Sequence, residues 1–205
     1  MRSVNILIAG VGGQGVILAS DLVAEVALSA GYDVKKSDSI GMAQRGGSVV
    51  SHVRFSEKVF SPLISEGGAD FLLAFEELEA ARWASYLKPQ GMALVADVVL
   101  PPLTVIGSKS PYPAWDGIKK ILGQLTGKVY LVPVSAIARE LDDPRALNMV
   151  MLGFLSAFLG MEKSLWEEKI RGRLSPRFIS AGLAAFLKGG AEGTKIVAKE
   201  GYGDA

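Results

Sequence analysis

A glycine-rich loop near the start of the chain carries the first pattern that could do chemistry. Its sequence is Gly10-Val11-Gly12-Gly13-Gln14-Gly15. Between a strand and a helix, the pattern G-x-G-x-x-G lets backbone N–H groups and the helix N-terminus bind phosphate. A nicotinamide site also needs an acidic residue about 20 residues further on, where this chain has Lys35 and Lys36. Two interpretations stay open: the loop binds a nucleotide whose extra phosphate meets the lysines, or it lets strand, turn and helix pack tightly against a partner.

A second glycine-rich loop follows the next predicted strand and is the more unusual of the two. Its sequence is Gly41-Met42-Ala43-Gln44-Arg45-Gly46-Gly47-Ser48. The glycines around Gln44 and Arg45 let the backbone approach a ligand or a neighbouring chain closely. Arg45 is suited to bind a carboxylate or phosphate, or alternatively to pair with Asp38 across a tight turn. Because both loops are expected to follow parallel strands, they should emerge together at the carboxyl edge of the sheet.

These two loops supply every candidate ligand-binding residue, and no catalytic or metal-binding residue is predicted. The candidates for cofactor or substrate binding are Gly10, Gly12, Gly13, Gln14, Gly15, Gln44, Arg45, Gly46, Gly47 and Ser48.

Other polar residues of interest are more simply explained as structural. His52 is the only histidine and belongs to an alternating strand pattern, where a structural or solvated side chain is favoured over a catalytic one. Neighbouring helix positions diverge by about 100°, so Glu76, Glu77 and Glu79 are predicted to form a solvated helix face. Asn148, inside an apolar helix, must satisfy its amide. Capping of a neighbouring loop is favoured over a place at a subunit interface.

The composition excludes several classes of function. The chain has 205 residues, with 22 basic and 21 acidic side chains and a formal charge of +1, so no basic field exists to hold nucleic acid. Cysteine is absent, which excludes a disulfide framework, a thiolate nucleophile and an iron–sulfur cluster held by this chain alone. The single histidine leaves little room for a Ser-His-Asp triad.

Two apolar stretches bear on localisation. The first thirty residues resemble a signal peptide, but the glycine loop interrupts the apolar region, and Asp21 and Glu25 lie within it. The run Leu147–Met161 is shorter than the roughly 18 to 20 residues that a bilayer requires. The chain is therefore expected to be cytoplasmic, with that run forming a buried helix.

Apolar runs alternate with helical patterns along the chain and predict an α/β fold. We expect a Rossmann-like, doubly wound, mostly parallel sheet with an antiparallel hairpin and a helical C-terminal portion. One domain over residues 1–205 is expected, with its core at about 4–187 and a fraying tail at 188–205. The predicted strands are Val4–Ala9, Tyr32–Lys36, Ser48–Phe55, its hairpin partner Val59–Ile64, Ala69–Phe75, Gly91–Val99 and Val129–Val134. The predicted helices are Val16–Ala30, Glu76–Leu87, Ala114–Leu125, Ser135–Leu141, Asp143–Leu159, Ser164–Arg171 and Ser175–Leu187.

Three segments together resemble a known family. They are Ile8-Ala9-Gly10-Val11-Gly12-Gly13-Gln14-Gly15, Gly41-Met42-Ala43-Gln44-Arg45-Gly46-Gly47-Ser48-Val49 and Leu147-Asn148-Met149-Val150-Met151-Leu152-Gly153. With these segments the chain resembles the gamma-type domain of the 2-oxoacid:ferredoxin oxidoreductases, most closely the indolepyruvate type. The resemblance extends from Val4 to about Leu187, and its second segment is the most specific.

The resemblance implies an accessory subunit of a two-subunit enzyme. In that family a larger alpha subunit carries thiamine diphosphate and iron–sulfur clusters. A 2-oxoacid loses carbon dioxide, coenzyme A takes up the acyl group, and ferredoxin receives the electrons. The chain would bind no cofactor alone. A mean hydropathy of +0.31 further suggests that part of its surface is buried in a complex.

Three alternatives to the indolepyruvate assignment stay open. One is the gamma subunit of a pyruvate or 2-oxoglutarate ferredoxin oxidoreductase. Another is a stand-alone nucleotide-binding sensor module. The third is a free-standing nucleotide-dependent dehydrogenase, against which Lys35 and the single histidine speak.

Overall fold

The computed structural model describes residues 3–40, 46–101, 111–143 and 146–200. Within these ranges the strands are β1 Val4–Val11, β2 Asp33–Ile40, β3 Ser48–Ser56, β4 Ala69–Ala74, β5 Leu87–Ala96 and β6 Lys128–Val132. The α-helices there are α1 Val16–Ser29, α2 Glu77–Arg82, α3 Trp115–Gly123, α4 Val134–Glu140, α5 Leu147–Leu159, α6 Lys163–Arg173 and α7 Pro176–Glu200.

The described strands form one sheet in the order β2-β3-β1-β4-β5-β6. Strands β1, β4, β5 and β6 are parallel neighbours, whereas β3 is antiparallel to both β1 and β2. The predicted α/β class with a mostly parallel sheet and an antiparallel hairpin is confirmed. Because β3 lies between β1 and β2, the expectation that β2 directly extends the parallel sheet is wrong. Strand β2 still runs in the direction of β1, so the loops that follow them leave at the same edge.

The hairpin partner of β3 differs from the prediction. Strand β3 pairs with β2 in eight register positions, from Asp33 opposite Ser56 to Ile40 opposite Val49. The predicted strand Val59–Ile64 is irregular. Within this apolar run, Val59 and Ile64 are buried, whereas Phe60 and Leu63 are exposed.

Alternating side chains of the strands divide the core between the two faces of the sheet. On one face Ile6, Ile8, Phe71 and Leu73 pack with α1, α4, α5, α6 and α7. On the other face Leu7, Ala9, Leu72 and Ala74 pack with α2 and α3. Since α1 follows β1 on the first face and α2 follows β4 on the second, the chain changes sides between these two neighbouring strands. In open α/β sheets such a switch point creates a crevice at the carboxyl ends of the strands.

The C-terminal helix is longer than its sequence pattern suggests. We expected an end near Leu187 and a fraying tail, but α7 continues to Glu200. Glycines at 189 and 193 account for this continuation, because they bring α7 against the backbone of α5. A Cβ on Gly189 would overlap the Val150 carbonyl, and one on Gly193 would lie 2.6 Å from the Phe154 carbonyl oxygen. Among the described helices, none is both long and apolar enough to cross a membrane.

Substitution of Gly153 tests the close packing of α5 on α7. A Cβ there would overlap the carbonyl oxygen of Phe186, so Gly153→Ala forces the helices apart. We expect the free energy of unfolding to fall by about 2–3 kcal/mol. The matched control is Gly172→Ala in α6, where a Cβ has no described neighbour within 4 Å. This control should gain roughly 0.5–1 kcal/mol from helix propensity. Urea unfolding measures both, and equal effects of the two variants would contradict the packing argument.

Candidate functional site

The first glycine loop turns sharply from β1 into α1. Gly13 and Gly15 have φ values of +104° and +83°, which favour glycine. Gly10 is needed for a different reason, because a Cβ there would lie 2.8 Å from Gln14 Oε1 and 2.9 Å from Val16 Cγ2. The structure therefore explains three of the candidate glycines through the shape of the loop.

Gln14 fixes this loop to the neighbouring strand. Its Oε1 accepts a hydrogen bond from the Val11 N–H at 2.7 Å, and its Nε2 donates to the Phe75 carbonyl at 2.9 Å. The carboxamide thus joins the end of β1 to the end of β4, across the switch point. Since both ends of the carboxamide are hydrogen-bonded within the protein, the structure assigns Gln14 a positioning role. Its influence on a ligand would come through the shape of the loop.

The second glycine loop lies beside the first. The Gly47 carbonyl accepts a hydrogen bond from the Gly12 N–H at 2.8 Å, and Gly46 adopts a positive φ of +77°. Ser48 donates a short hydrogen bond to Glu79, and the Trp83 indole N–H lies 3.3 Å from the Ser48 hydroxyl. The prediction that the two loops meet at one edge of the sheet is confirmed for these residues.

Gln44 and Arg45 lie outside the described residues, as do Gly41, Met42 and Ala43. Their proposed contact with a ligand stays a prediction. The alternative partner of Arg45 is described: Asp38 accepts hydrogen bonds from Lys36 Nζ and from Ser51 Oγ, each at 2.7 Å.

Lys35 and Lys36 of β2 are both paired with carboxylates. Lys36 Nζ lies 2.6 Å from an Asp21 oxygen and 2.7 Å from an Asp38 oxygen. Lys35 Nζ lies 3.1 Å from Asp33 in a more exposed pair. The pair with Asp21 ties α1 to the edge strand β2, and the other pairs lie within β2. This pairing favours a structural role for the lysines over binding of an extra phosphate.

A pocket of about 630 Å³ opens between the first glycine loop, α4 and α5. Its lining includes Gly13, Gln14, Gly15, Ser135, Arg139 and Asn148. The first intrahelical bond of α1 runs from the Ala19 N–H to the Gly15 carbonyl, so the amides of residues 16–18 have no partner within the helix. Amides without a partner in the helix, the positive end of the helix dipole and an arginine together suit an anionic group.

Asn148 lies directly on the glycine loop. A Cβ on Gly15 would overlap its Nδ2, so glycine at this position makes room for the amide. Among the residues that the structure describes, none hydrogen-bonds to this amide. Asn148 thus lies against a loop, but the described residues show no hydrogen bond by which it caps that loop, so the favoured capping role stays a prediction. Its side chain lines the same pocket as Gly13 and Gly15.

The acidic residues of α2 are buried, so the predicted solvated face is wrong. Glu76 and Glu79 are 0% and 1% exposed. Glu76 caps α2 by accepting a hydrogen bond from the Glu79 N–H at 2.9 Å, and it also accepts from the Tyr112 hydroxyl at 2.5 Å. Glu79 accepts from Ser48 and forms an ion pair with Arg82 at 3.0 Å. A helix of only six residues places these carboxylates in its first turn, where backbone N–H groups and hydroxyls satisfy them.

Buried carboxylates also hold in place the backbone that adjoins the pocket. Burial, together with the nearby carboxylates of Glu76 and Asp97, raises the pKa of Glu77, and burial and the Glu76 hydrogen bond raise the pKa of Tyr112. Asp97 in turn accepts a hydrogen bond from the Ser135 N–H at 2.8 Å, which fixes the start of α4 beside the pocket. The available sequence signal was the run of acidic residues directly after an apolar strand, which favours the start of a helix.

His52 has a structural role. It is 7% exposed, and its Nδ1 accepts a hydrogen bond from the Ile64 N–H at 3.2 Å. Its ring packs edge-on against Tyr86, with 5.8 Å between the centroids. Burial lowers the pKa of the imidazole, which favours the neutral form that this hydrogen bond requires.

Comparison with known proteins places the fold and site in context. The chain matches the family model described as pyruvate ferredoxin/flavodoxin oxidoreductase over residues 5–192. It is 37% identical over 192 residues to indolepyruvate oxidoreductase subunit IorB of Thermococcus kodakarensis, covering 92% of this chain and 95% of that protein. It is 30% identical to ketoisovalerate oxidoreductase subunit VorA of Methanothermobacter marburgensis, covering 83% of this chain but 32% of that longer protein.

A solved structure shares the fold. It is the 2-oxoglutarate:ferredoxin oxidoreductase from Magnetococcus marinus, with 2-oxoglutarate, coenzyme A and succinyl-CoA bound. The TM-score is 0.73 at 22% identity, and the match covers 95% of this chain and 32% of that chain.

The sheet, with its glycine loop at the switch point, defines a Rossmann-like α/β domain. The family match further shows that the chain belongs to the pyruvate ferredoxin/flavodoxin oxidoreductase family. The resemblance inferred from the two glycine loops is therefore confirmed, and four archaeal relatives at 35–37% identity carry the name indolepyruvate oxidoreductase subunit IorB.

Gln14→Met tests the link between β1 and β4. Methionine has a similar length but leaves the Val11 N–H and the Phe75 carbonyl without their partners. We expect a loss of about 1–3 kcal/mol in the free energy of unfolding, measured in urea. The control is Gln124→Met at the exposed end of α3, where a change within about 0.5 kcal/mol is expected. Equal effects of the two substitutions would show that the carboxamide does not hold the strands together.

Burial of the His52 imidazole predicts that the free energy of unfolding depends on pH. Because the folded pKa of His52 lies below the ordinary value of 6.5, the unfolded chain takes up the proton first. The contribution of neutral His52 to the free energy of unfolding should therefore be fully present above pH 6.5 and should decrease as the pH falls below it. His52→Asn keeps an acceptor for the Ile64 N–H but does not titrate there. The free energy of unfolding at pH 7.5 and 5.5 should change less in this variant, since titrating carboxylates are common to both proteins. An identical change would refute the assignment.

Proposed function

We propose that this chain is the accessory subunit of an indolepyruvate:ferredoxin oxidoreductase. The observation that carries the proposal is the match to a subunit of that name over 92% of this chain and 95% of the relative. The complete enzyme would convert an aryl pyruvate and coenzyme A to arylacetyl-CoA and carbon dioxide. Two electrons would pass singly to ferredoxin.

The composition of the chain fits a division of labour between two subunits. Without cysteine it cannot supply the thiolates that hold iron–sulfur clusters. Among the described residues, no group of three or more potential metal ligands is close enough to hold a metal ion. A larger subunit would hold the clusters and thiamine diphosphate, which supplies the carbanion chemistry of decarboxylation.

The contribution of this chain would be to bind an anionic group. The pocket beside the glycine loop is lined by Gly15 at the N-terminus of α1, by Asn148 and by Arg139. Arg45 follows β2, which runs in the same direction as β1, so its loop starts from the same edge of the sheet. We infer that these groups orient the carboxylate of the 2-oxoacid or a phosphate of coenzyme A toward the active site of the larger subunit.

Reconstitution with the larger subunit tests this function. The isolated chain should contain no iron and should not oxidise 2-oxoacids with a low-potential dye, whereas the complex should prefer indolepyruvate to pyruvate and 2-oxoglutarate in kcat/KM. Within the complex, Arg45→Ala should raise the KM for 2-oxoacid or coenzyme A by about 10- to 100-fold, because a charge-assisted hydrogen bond is lost.

Controls separate the outcomes. Arg171→Ala removes an exposed arginine of α6 and should leave both KM values unchanged. If Arg45 only pairs with Asp38, its variant should lose stability at constant KM. Stoichiometric iron in the isolated chain, or its turnover without a partner, would overturn the proposed division of labour. A preference for pyruvate or 2-oxoglutarate would replace the substrate assignment.

A further inference from the structure

The segment that follows β5 forms an apolar part of the pocket at the carboxyl edge. Val98 and Leu100 line this pocket together with Arg139 and Asn148. Leu100 is 44% exposed, so a ligand in the pocket would cover apolar surface that is otherwise in contact with water. Ligand sites usually combine a mostly apolar lining with a few polar groups. We call Val98 and Leu100 the apolar wall of the pocket.

Two hydrogen bonds attach the apolar wall to the start of α2. The Val98 carbonyl accepts a hydrogen bond from the Glu77 N–H at 3.1 Å. The Leu100 N–H donates to Glu76 Oε1, also at 3.1 Å. Both bonds join the segment after β5 to the segment after β4, so the position of the apolar wall depends on how α2 begins. Of the two bonds, only the second involves a side chain and can be removed by a substitution.

The two carboxylate oxygens of Glu76 make different contacts. Glu76 is 0% exposed, and its Oε2 accepts from the Glu79 N–H at 2.9 Å, which caps α2. Its Oε1 accepts from the Leu100 N–H and from the Tyr112 hydroxyl, the latter at 2.5 Å. Shorter side chains such as Asn, Asp and Ser are the preferred helix N-caps, so the cap alone does not require a glutamate. The additional length of glutamate is used to reach Leu100 and Tyr112.

We propose that Glu76 is a positioning residue for ligand binding: through the Leu100 N–H it holds the apolar wall opposite the polar residues of the pocket, and Leu100 contacts the ligand. This inference rests on the proposed function, because it requires that the 2-oxoacid or coenzyme A enters this pocket in the assembled enzyme. Glu76 is not among the described residues that line the pocket. Its influence on the ligand therefore passes through Leu100.

Steady-state kinetics of the reconstituted complex test this role through the KM values for indolepyruvate and for coenzyme A. Leu100→Ala should raise one of these KM values by about 10-fold, because apolar contact with the ligand is lost. Glu76→Asn keeps an acceptor that caps α2 but is one methylene shorter. It should raise the same KM by about 5- to 10-fold at unchanged kcat, because the apolar wall is no longer held.

A double-mutant cycle shows whether Glu76 acts through Leu100. If both substitutions remove the same contact, the variant that combines them should raise that KM by only about 10-fold, far less than the product of the two single effects. The control is Thr126→Val, which removes a buried hydrogen bond to the Gly91 carbonyl earlier in β5. This control should lower the free energy of unfolding but leave both KM values within about twofold of the wild type. Glu76→Asp, which keeps both charge and cap, replaces Glu76→Asn if that variant does not assemble.

The outcomes distinguish this inference from the proposed function. If the wild-type complex does not convert indolepyruvate and coenzyme A, the proposed function fails, and the positioning inference fails with it. If the wild type is active and either single substitution leaves both KM values unchanged, only the positioning inference is overturned. Effects that multiply in the double variant would also overturn it, because Glu76 would then act by a route other than Leu100.

Discussion

The hydrogen bonds of the Gln14 carboxamide are the constraint on which the candidate site depends. They join the ends of β1 and β4 where the helices that follow these strands go to opposite faces of the sheet. The segments that follow the two strands diverge at such a point, and the carboxamide joins them where the crevice begins. Gly10 leaves space for the carboxamide, and Gly15 leaves space for Asn148. Gly15, the N-cap of α1, thereby lines a pocket that also contains Arg139.

The second loop is positioned from the opposite face of the sheet. Ser48 is bound to Glu79 on α2, and Glu76 at the start of that helix is bound to Tyr112. Buried carboxylates hold their hydrogen-bond partners firmly, because losing a partner would leave a poorly solvated charge, which costs free energy. The bond from Gly12 to Gly47 joins this support to the first loop. Binding groups are thus concentrated at the carboxyl edge.

The sequence patterns predicted those features of the fold that depend on residues close together in the chain. The succession of β1, glycine loop and α1 could be found because strand period, glycine spacing and helix period all lie within one short segment. The position of β3 between β1 and β2 could not, because strand order depends on pairings between distant residues. The burial of Glu76 and Glu79 was missed for a similar reason, since their partners Tyr112 and Ser48 are far away in sequence. The motif places Gln14 in the loop after β1, but its hydrogen bond to the Phe75 carbonyl is visible only in three dimensions.

The central claim is that the first turn of α1 binds an anionic group of a substrate in the assembled enzyme. Hydrogen exchange, resolved to single amides in the reconstituted complex with and without coenzyme A or the 2-oxoacid, tests it most directly. The account predicts that one of these ligands slows exchange at the amides of Val16, Ile17 and Leu18, while the amides of α3 on the other face stay unchanged. Unaltered exchange at Val16–Leu18 with both ligands at saturation would contradict the account.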